Sequence, residues 1–87
     1  MSAPLKLYVK SWCPWCVSAR QYLDRHRYSY DEINVSRDPE AYEEMIRLSG
    51  QTLAPTLLAD GKVLADFGPD ELDRFLKTER ILPRQEN

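Results

Sequence analysis

Leu5-Lys6-Leu7-Tyr8-Val9-Lys10-Ser11-Trp12-Cys13-Pro14-Trp15-Cys16 is the stretch on which the fold turns. Its first five residues form an apolar run that reads as a strand, and the residues from Pro14 onward open a helical pattern. A strand running into a helix places Cys13 at the helix N-terminus, where unpaired N–H groups and the positive end of the macrodipole stabilise a thiolate. Three positions further on, Cys16 lies on the same helix face, within reach of a mixed disulfide formed on Cys13. The two residues are the only cysteines of the chain, so the pair is suited to cycling between dithiol and disulfide.

The surroundings of this motif narrow the chemistry. With 87 residues and 43% hydrophobic content, the chain holds one domain, residues 1–87, around one modest core. The net charge of −2 is spread over scattered Lys and Arg, and this gives no footprint for nucleic acid or an anionic membrane. Met1-Ser2-Ala3-Pro4 leads into the first strand without a basic n-region or a long apolar segment, and nothing approaches transmembrane length. Two cysteines at this spacing without an export signal point to redox work in a reducing compartment, so a cytoplasmic location is expected.

Working outward, Ala19 and Leu23 share a buried face of a helix running from about Pro14 to about Arg27. Tyr28 to Val35 mixes aromatic and β-branched residues with acids and reads as a strand. Asp38-Pro39 is an N-cap followed by proline at the first helical position, Glu40 and Glu43 follow, and Gly50 is a left-handed stop. Pro55 to Ala59 and Lys62 to Ala65 are strands joined by the Asp60-Gly61 hairpin turn. Leu72, Phe75 and Leu76 carry the spacing of a closing amphipathic helix that ends before Pro83, and the polar tail Arg84–Asn87 is expected to fray. The order βαβ, helix, β-hairpin, helix predicts an α/β domain with a four-stranded mixed sheet and helices on its faces.

Tyr8-Val9-Lys10-Ser11-Trp12-Cys13-Pro14-Trp15-Cys16 resembles the Y-x-K-x-x-C-P-Y-C segment of the glutaredoxins, with Trp15 where Tyr is usual. Pro39 to Met45, followed by Leu48-Ser49-Gly50-Gln51-Thr52-Leu53-Ala54-Pro55, resembles that family's second helix and T-V-P loop. The resemblance implies the thioredoxin fold, with Cys13 as nucleophile and Cys16 as resolving thiol. It also implies a cis peptide before Pro55, which exposes the Ala54 main chain to the cysteinyl part of glutathione. An ammonium at Lys10 favours the ionised Cys13 and attracts a substrate carboxylate. Pro14 and Trp15 tune the motif, and Thr52, Asp66, Phe67 and Asp70 complete the implied substrate contacts.

One segment departs from the pattern. Where many glutaredoxins have G-G-x-D-D, with backbone N–H groups and an aspartate for the γ-glutamyl end of glutathione, this chain reads Ala65-Asp66-Phe67-Gly68-Pro69-Asp70-Glu71-Leu72. Pro69 has no N–H to donate. A similar G-F-x-P-D pattern occurs in glutaredoxin-like redoxins that feed ribonucleotide reductase and are reduced by thioredoxin reductase.

Plainer readings stand beside these. Cys13 and Cys16 also fit half of a zinc or iron–sulfur site, but a closed site needs about four ligands and only His26 can join them. Trp12 and Trp15 are either core aromatics or a contact surface, and Lys10 either a site residue or a solvated lysine. His26 suits a helix C-terminus better than a catalytic base, while Asp66 and Asp70 suit a helix start as well as a substrate contact. Glu43 and Arg47 are spaced for a surface ion pair. The function expected is therefore that of a monomeric glutaredoxin-like thiol–disulfide oxidoreductase. It would have no tightly bound cofactor or metal and use glutathione as co-substrate. Its targets would be disulfide-containing or glutathionylated proteins. The alternatives are a redoxin reduced by thioredoxin reductase and, from a different class, a dimeric carrier of a glutathione-ligated iron–sulfur cluster.

Overall fold

A computed structural model describes residues 5–83; the tail at 84–87 lies outside the described residues. Seven elements follow one another: β1 (Leu5–Val9), α1 (Pro14–Arg25), β2 (Tyr30–Asn34), α2 (Pro39–Ser49), β3 (Thr56–Ala59), β4 (Lys62–Ala65) and α3 (Pro69–Thr78). The sheet order is β2-β1-β3-β4. β1 pairs parallel with β2 and antiparallel with β3, which pairs antiparallel with β4. This is the four-stranded mixed sheet read from the sequence, in the thioredoxin-like arrangement.

Side-chain alternation along β1 divides the core in two. Leu5, Leu7 and Val9 join the larger cluster with Ala19 and Leu23 of α1, Leu57 of β3, and Leu72 and Leu76 of α3. Tyr8 points to the other face and packs with Val35 and with Met45 of α2. Covered on both faces, β1 is nearly all apolar, as a buried central strand must be. The Tyr8 hydroxyl donates to the Glu44 carboxylate; burial, and then that bond, push the Tyr8 phenol well above its ordinary range.

Each of the three helices begins with proline at its first position, where the missing N–H costs nothing and φ is already helical. Asp38 caps α2 by accepting from the Ala41 N–H at 3.2 Å. Gly50, at φ 72°, ends α2 and donates to the Ile46 carbonyl at 2.7 Å. The Asp60-Gly61 turn has positive φ at both residues, 49° and 77°, matching the twist of a two-residue hairpin.

Several boundaries differ from the sequence reading. α1 stops at Arg25 rather than Arg27, and His26 is its C-cap. Arg27 turns left-handed at φ 62°, so the Tyr28 N–H returns to the Leu23 carbonyl at 2.8 Å and β2 starts at Tyr30 instead of Tyr28. Tyr28 is an anchor, its hydroxyl donating to the Ile81 carbonyl at 2.7 Å. Val35 falls just past β2 but still donates to the Val9 carbonyl at 2.9 Å. β3 begins at Thr56, one residue after Pro55. The expected Glu43–Arg47 pair does not form; among the described residues the i, i+4 ion pair is Asp73–Lys77, at 2.9 Å.

Candidate active site

The site is built where β1 ends. Lys10 and Ser11 leave the strand, and Trp12 adopts φ 60° with its indole 99% exposed. This left-handed step delivers Cys13 as the N-cap of α1 in an extended conformation. The two cysteines are joined as a disulfide, with Cα atoms 5.1 Å apart. Cys13 is half-buried whereas Cys16 is only 2% exposed, and the Cys16 N–H donates to the Cys13 sulfur at 3.1 Å. On reduction, that N–H and the α1 dipole both face the Cys13 sulfur, which favours its thiolate. Pro14 occupies the first helical position between them.

A second wall comes from the loop between α2 and β3. The Ala54–Pro55 peptide is cis, and the Ala54 carbonyl oxygen lies 3.9 Å from the Cys13 sulfur. Gln51, which the sequence reading left without a role, holds this loop in shape. Its Oε1 accepts from the Leu53 N–H at 2.6 Å, and its Nε2 donates to Ser49 Oγ at 3.0 Å and Thr56 Oγ1 at 3.1 Å. The buried Thr56 hydroxyl adds a bond to the Leu53 carbonyl at 2.9 Å. A polar residue just past a helix-ending glycine was the available signal, but its partners are visible only once the loop is closed. Thr52 is exposed on the same loop.

The third wall is the segment entering α3. The Asp66 N–H donates to the Pro55 carbonyl at 2.9 Å, tying this segment to the loop beside Cys13. Asp66, at φ 54°, and Asp70 are both exposed. Phe67 is buried in the main core at 3% exposure, so only its main chain is left to face the site. Trp15, 59% exposed, leans on Gly68, where a Cβ would stand 3.4 Å from the Trp15 Cζ3. The two tryptophans are thus surface residues beside the disulfide.

On the β2 side of the disulfide lies an open cleft of about 440 Å³, lined among others by Lys10, Trp12, Cys13, Cys16, Val17 and Asn34. Arg20 and Glu32, 3.0 Å apart, are paired at its edge. The Lys10 ammonium stands 5.7 Å from the Tyr42 ring centroid, a cation–π distance. Thr52, Ala54, Pro55, Asp66 and Asp70 do not line this cleft; of these, Ala54 faces the Cys13 sulfur.

Other titratable groups lie elsewhere. His26 is at the far end of α1, about 20 Å along the helix axis from Cys13 at 1.5 Å per residue, with its ring against Tyr22. That position fits a helix C-terminal residue and not a base for the sulfurs. Burial first, then its bond to Asp73, raise the Tyr22 phenol, and the bond from Tyr22 holds the Asp73 carboxyl below its ordinary range. Among the described residues no group of three or more His, Cys, Asp and Glu side chains is placed to hold a metal ion, and no helix is long and apolar enough to cross a membrane.

Comparison with known proteins agrees with this geometry. The family model described as Glutaredoxin matches residues 5–64. A glutaredoxin-like 8.6 kDa protein of the rubredoxin operon of Clostridium pasteurianum is 32% identical over 84% of this chain and 97% of its own length. The glutaredoxin-like protein NrdH of Lactococcus lactis is 33% identical over 79% of this chain and 94% of its own. Among solved structures, a thioredoxin-like protein superposes with a TM-score of 0.76 at 28% identity, covering 83% of this chain and 99% of that one.

Proposed function

The chain belongs to the glutaredoxin family, and from that premise we propose that it is a monomeric dithiol redoxin that reduces protein disulfides and is itself recharged by a flavoprotein of the thioredoxin reductase class. The Cys13 thiolate attacks one sulfur of a substrate disulfide. A Cys13–substrate disulfide forms, and the other substrate sulfur leaves as a thiolate that takes up a proton. The Cys16 thiol, losing its proton, then attacks the Cys13 sulfur and releases the second substrate thiol. Two electrons have passed to the substrate and the protein is left as the Cys13–Cys16 disulfide. The Ala54 main chain, held beside Cys13 by Gln51 and Thr56, is positioned to pair with an extended substrate segment.

The observation that carries the choice of reductant is the start of α3. Pro69 has no N–H, and the Gly68 N–H is already engaged by Glu71 Oε1 at 3.1 Å. A hydrogen bond to a charged group is worth roughly 1.5–3 kcal/mol, or about one to two decades of affinity, so losing these donors weakens any hold on the γ-glutamyl carboxylate of glutathione. The similarity to a protein named NrdH supports the same choice.

A second reading keeps glutathione as reductant and glutathione mixed disulfides as substrates. It is favoured by Lys10, a residue of the cleft that Cys13 also lines, because an ammonium suits a substrate carboxylate. The deciding experiment compares turnover on one protein disulfide driven by NADPH with thioredoxin reductase, or by glutathione with glutathione reductase. Fast turnover with the first and a high KM for glutathione in the second is the expected pattern; the reverse establishes the second reading.

A further inference from the structure

In the sheet order β2-β1-β3-β4, the Ala54 carbonyl that faces Cys13 stands on the β3 side of β1, and the open cleft of about 440 Å³ lies on the opposite, β2 side. The rim of this cleft is preorganised. Asn34, at the end of β2, donates from Nδ2 to Ser11 Oγ at 3.3 Å and accepts the Ser36 N–H at 2.9 Å, while the Ser11 N–H donates to Ser36 Oγ at 3.1 Å. These bonds tie the loop that carries Trp12 to the loop after β2.

The charged residues of the lining are Lys10, Arg20 and Glu32, two cations against one acid in a chain whose net charge is −2. Arg20 gives Glu32 one bond, from Nη1 to Oε2 at 3.0 Å, and among the described residues that carboxylate is its one side-chain partner. A guanidinium carries five N–H donors, so the fork keeps donors for a second carboxylate. We propose that this cleft is a substrate subsite for the polypeptide next to the target cysteine, taking an acidic side chain, Asp or Glu, on Arg20 and Lys10. A segment paired along Ala54 and crossing Cys13 runs on toward β2 and so reaches it. Glu32 works against the preference, since it already holds part of the fork. The inference rests on the reading of Cys13 and Cys16 as a centre that reduces protein disulfides, and it names the class of segment that centre prefers.

The test uses capped peptides of one sequence, with Glu or Lys on both sides of a single cysteine that is joined to 2-thiopyridine as a mixed disulfide. The Cys13 thiolate of the prereduced protein attacks the peptide sulfur, and 2-thiopyridone leaves and is read by absorbance; no reductase takes part. Each rate is divided by that of 2-mercaptoethanol with the same peptide, which removes intrinsic reactivity. The Glu peptide is expected to react about two- to fivefold faster than the Lys peptide, against the direction set by the net charge, and the ratio should shrink as salt is added. Glu32→Gln should raise the ratio and Arg20→Gln should lower it. A merely structural role of the ion pair would move the ratio the same way in both. Arg74→Gln makes the same charge change at an exposed residue of α3 outside the cleft and should leave the ratio in place. A Lys peptide that reacts as fast as the Glu peptide, or Arg74→Gln acting as strongly as Arg20→Gln, overturns the proposal alone. No release of 2-thiopyridone from either peptide overturns the redox reading and the proposal with it.

Discussion

The Cys16 N–H points at the Cys13 sulfur from 3.1 Å while the Cys16 side chain is almost sealed from solvent. One sulfur is thus both presented and stabilised as an anion, and the other is kept behind it. In the reduced protein, iodoacetamide is expected to label Cys13 at pH values well under the ordinary thiol value of about 8.5 and to reach Cys16 far more slowly. Peptide mapping by mass spectrometry after brief alkylation checks this. Equal labelling of the two residues would contradict the assignment of nucleophile and resolving thiol.

The same asymmetry separates the two serine variants. Cys13→Ser is expected to lose all thiol transfer, because Cys16, the one remaining thiol, is almost sealed from solvent. Cys16→Ser should still form the mixed disulfide with a substrate but fail to release a reduced protein disulfide. Trapping of a covalent complex by Cys16→Ser, visible on a non-reducing gel and absent from Cys13→Ser, is the measurement.

Four tyrosines make the fold sensitive to alkali. Burial, as the leading cause, raises Tyr8, Tyr22 and Tyr28, and burial with the Asp24 bond pushes Tyr30 up to about 12. A phenol raised in the folded state adds stability that is complete below its unfolded value of about 10 and is lost as pH climbs toward the folded value. Urea midpoints are therefore expected to drop steadily from about pH 10 upward. Replacing Tyr30 by Phe should flatten that decline, and a slope identical to the parent's would show that Tyr30 is not a contributor.

Packing sets the response to truncation. Leu57, fully buried at the centre of the sheet, should lose roughly 2–5 kcal/mol as Leu57→Ala. Leu53, half exposed beside the site, should change stability by no more than about 0.5 kcal/mol when truncated. Chemical denaturation of the two oxidised variants gives the comparison.

What could be read before folding was whatever depends on neighbours in the chain. Asp38, Pro39 and Gly50 bracket α2 by local chemistry, and the strand running into Cys13-Pro14-Trp15-Cys16 fixes the first βα unit. The readings that needed correction depend on distant partners. Tyr28 is drawn out of β2 by a carbonyl at Ile81, far along the chain. Gln51 and Glu71 are polar residues in polar stretches, indistinguishable from surface filling until the loops they hold are closed. The exposure of Trp12 follows from a single left-handed residue, which no hydrophobic pattern announces.

β2 is one of the two outer strands of the sheet, with one side unpaired, and the acids Asp31 and Glu32, the latter paired with Arg20, are exposed on it. Two molecules that meet along this rim bring carboxylates toward carboxylates, which discourages a continuous sheet from growing between them. The restraint is colloidal and lasts only as long as the acids are ionised. Toward the isoelectric point near 5.3 the overall repulsion fades as well, so concentrated solutions should be kept clear of mildly acidic buffers.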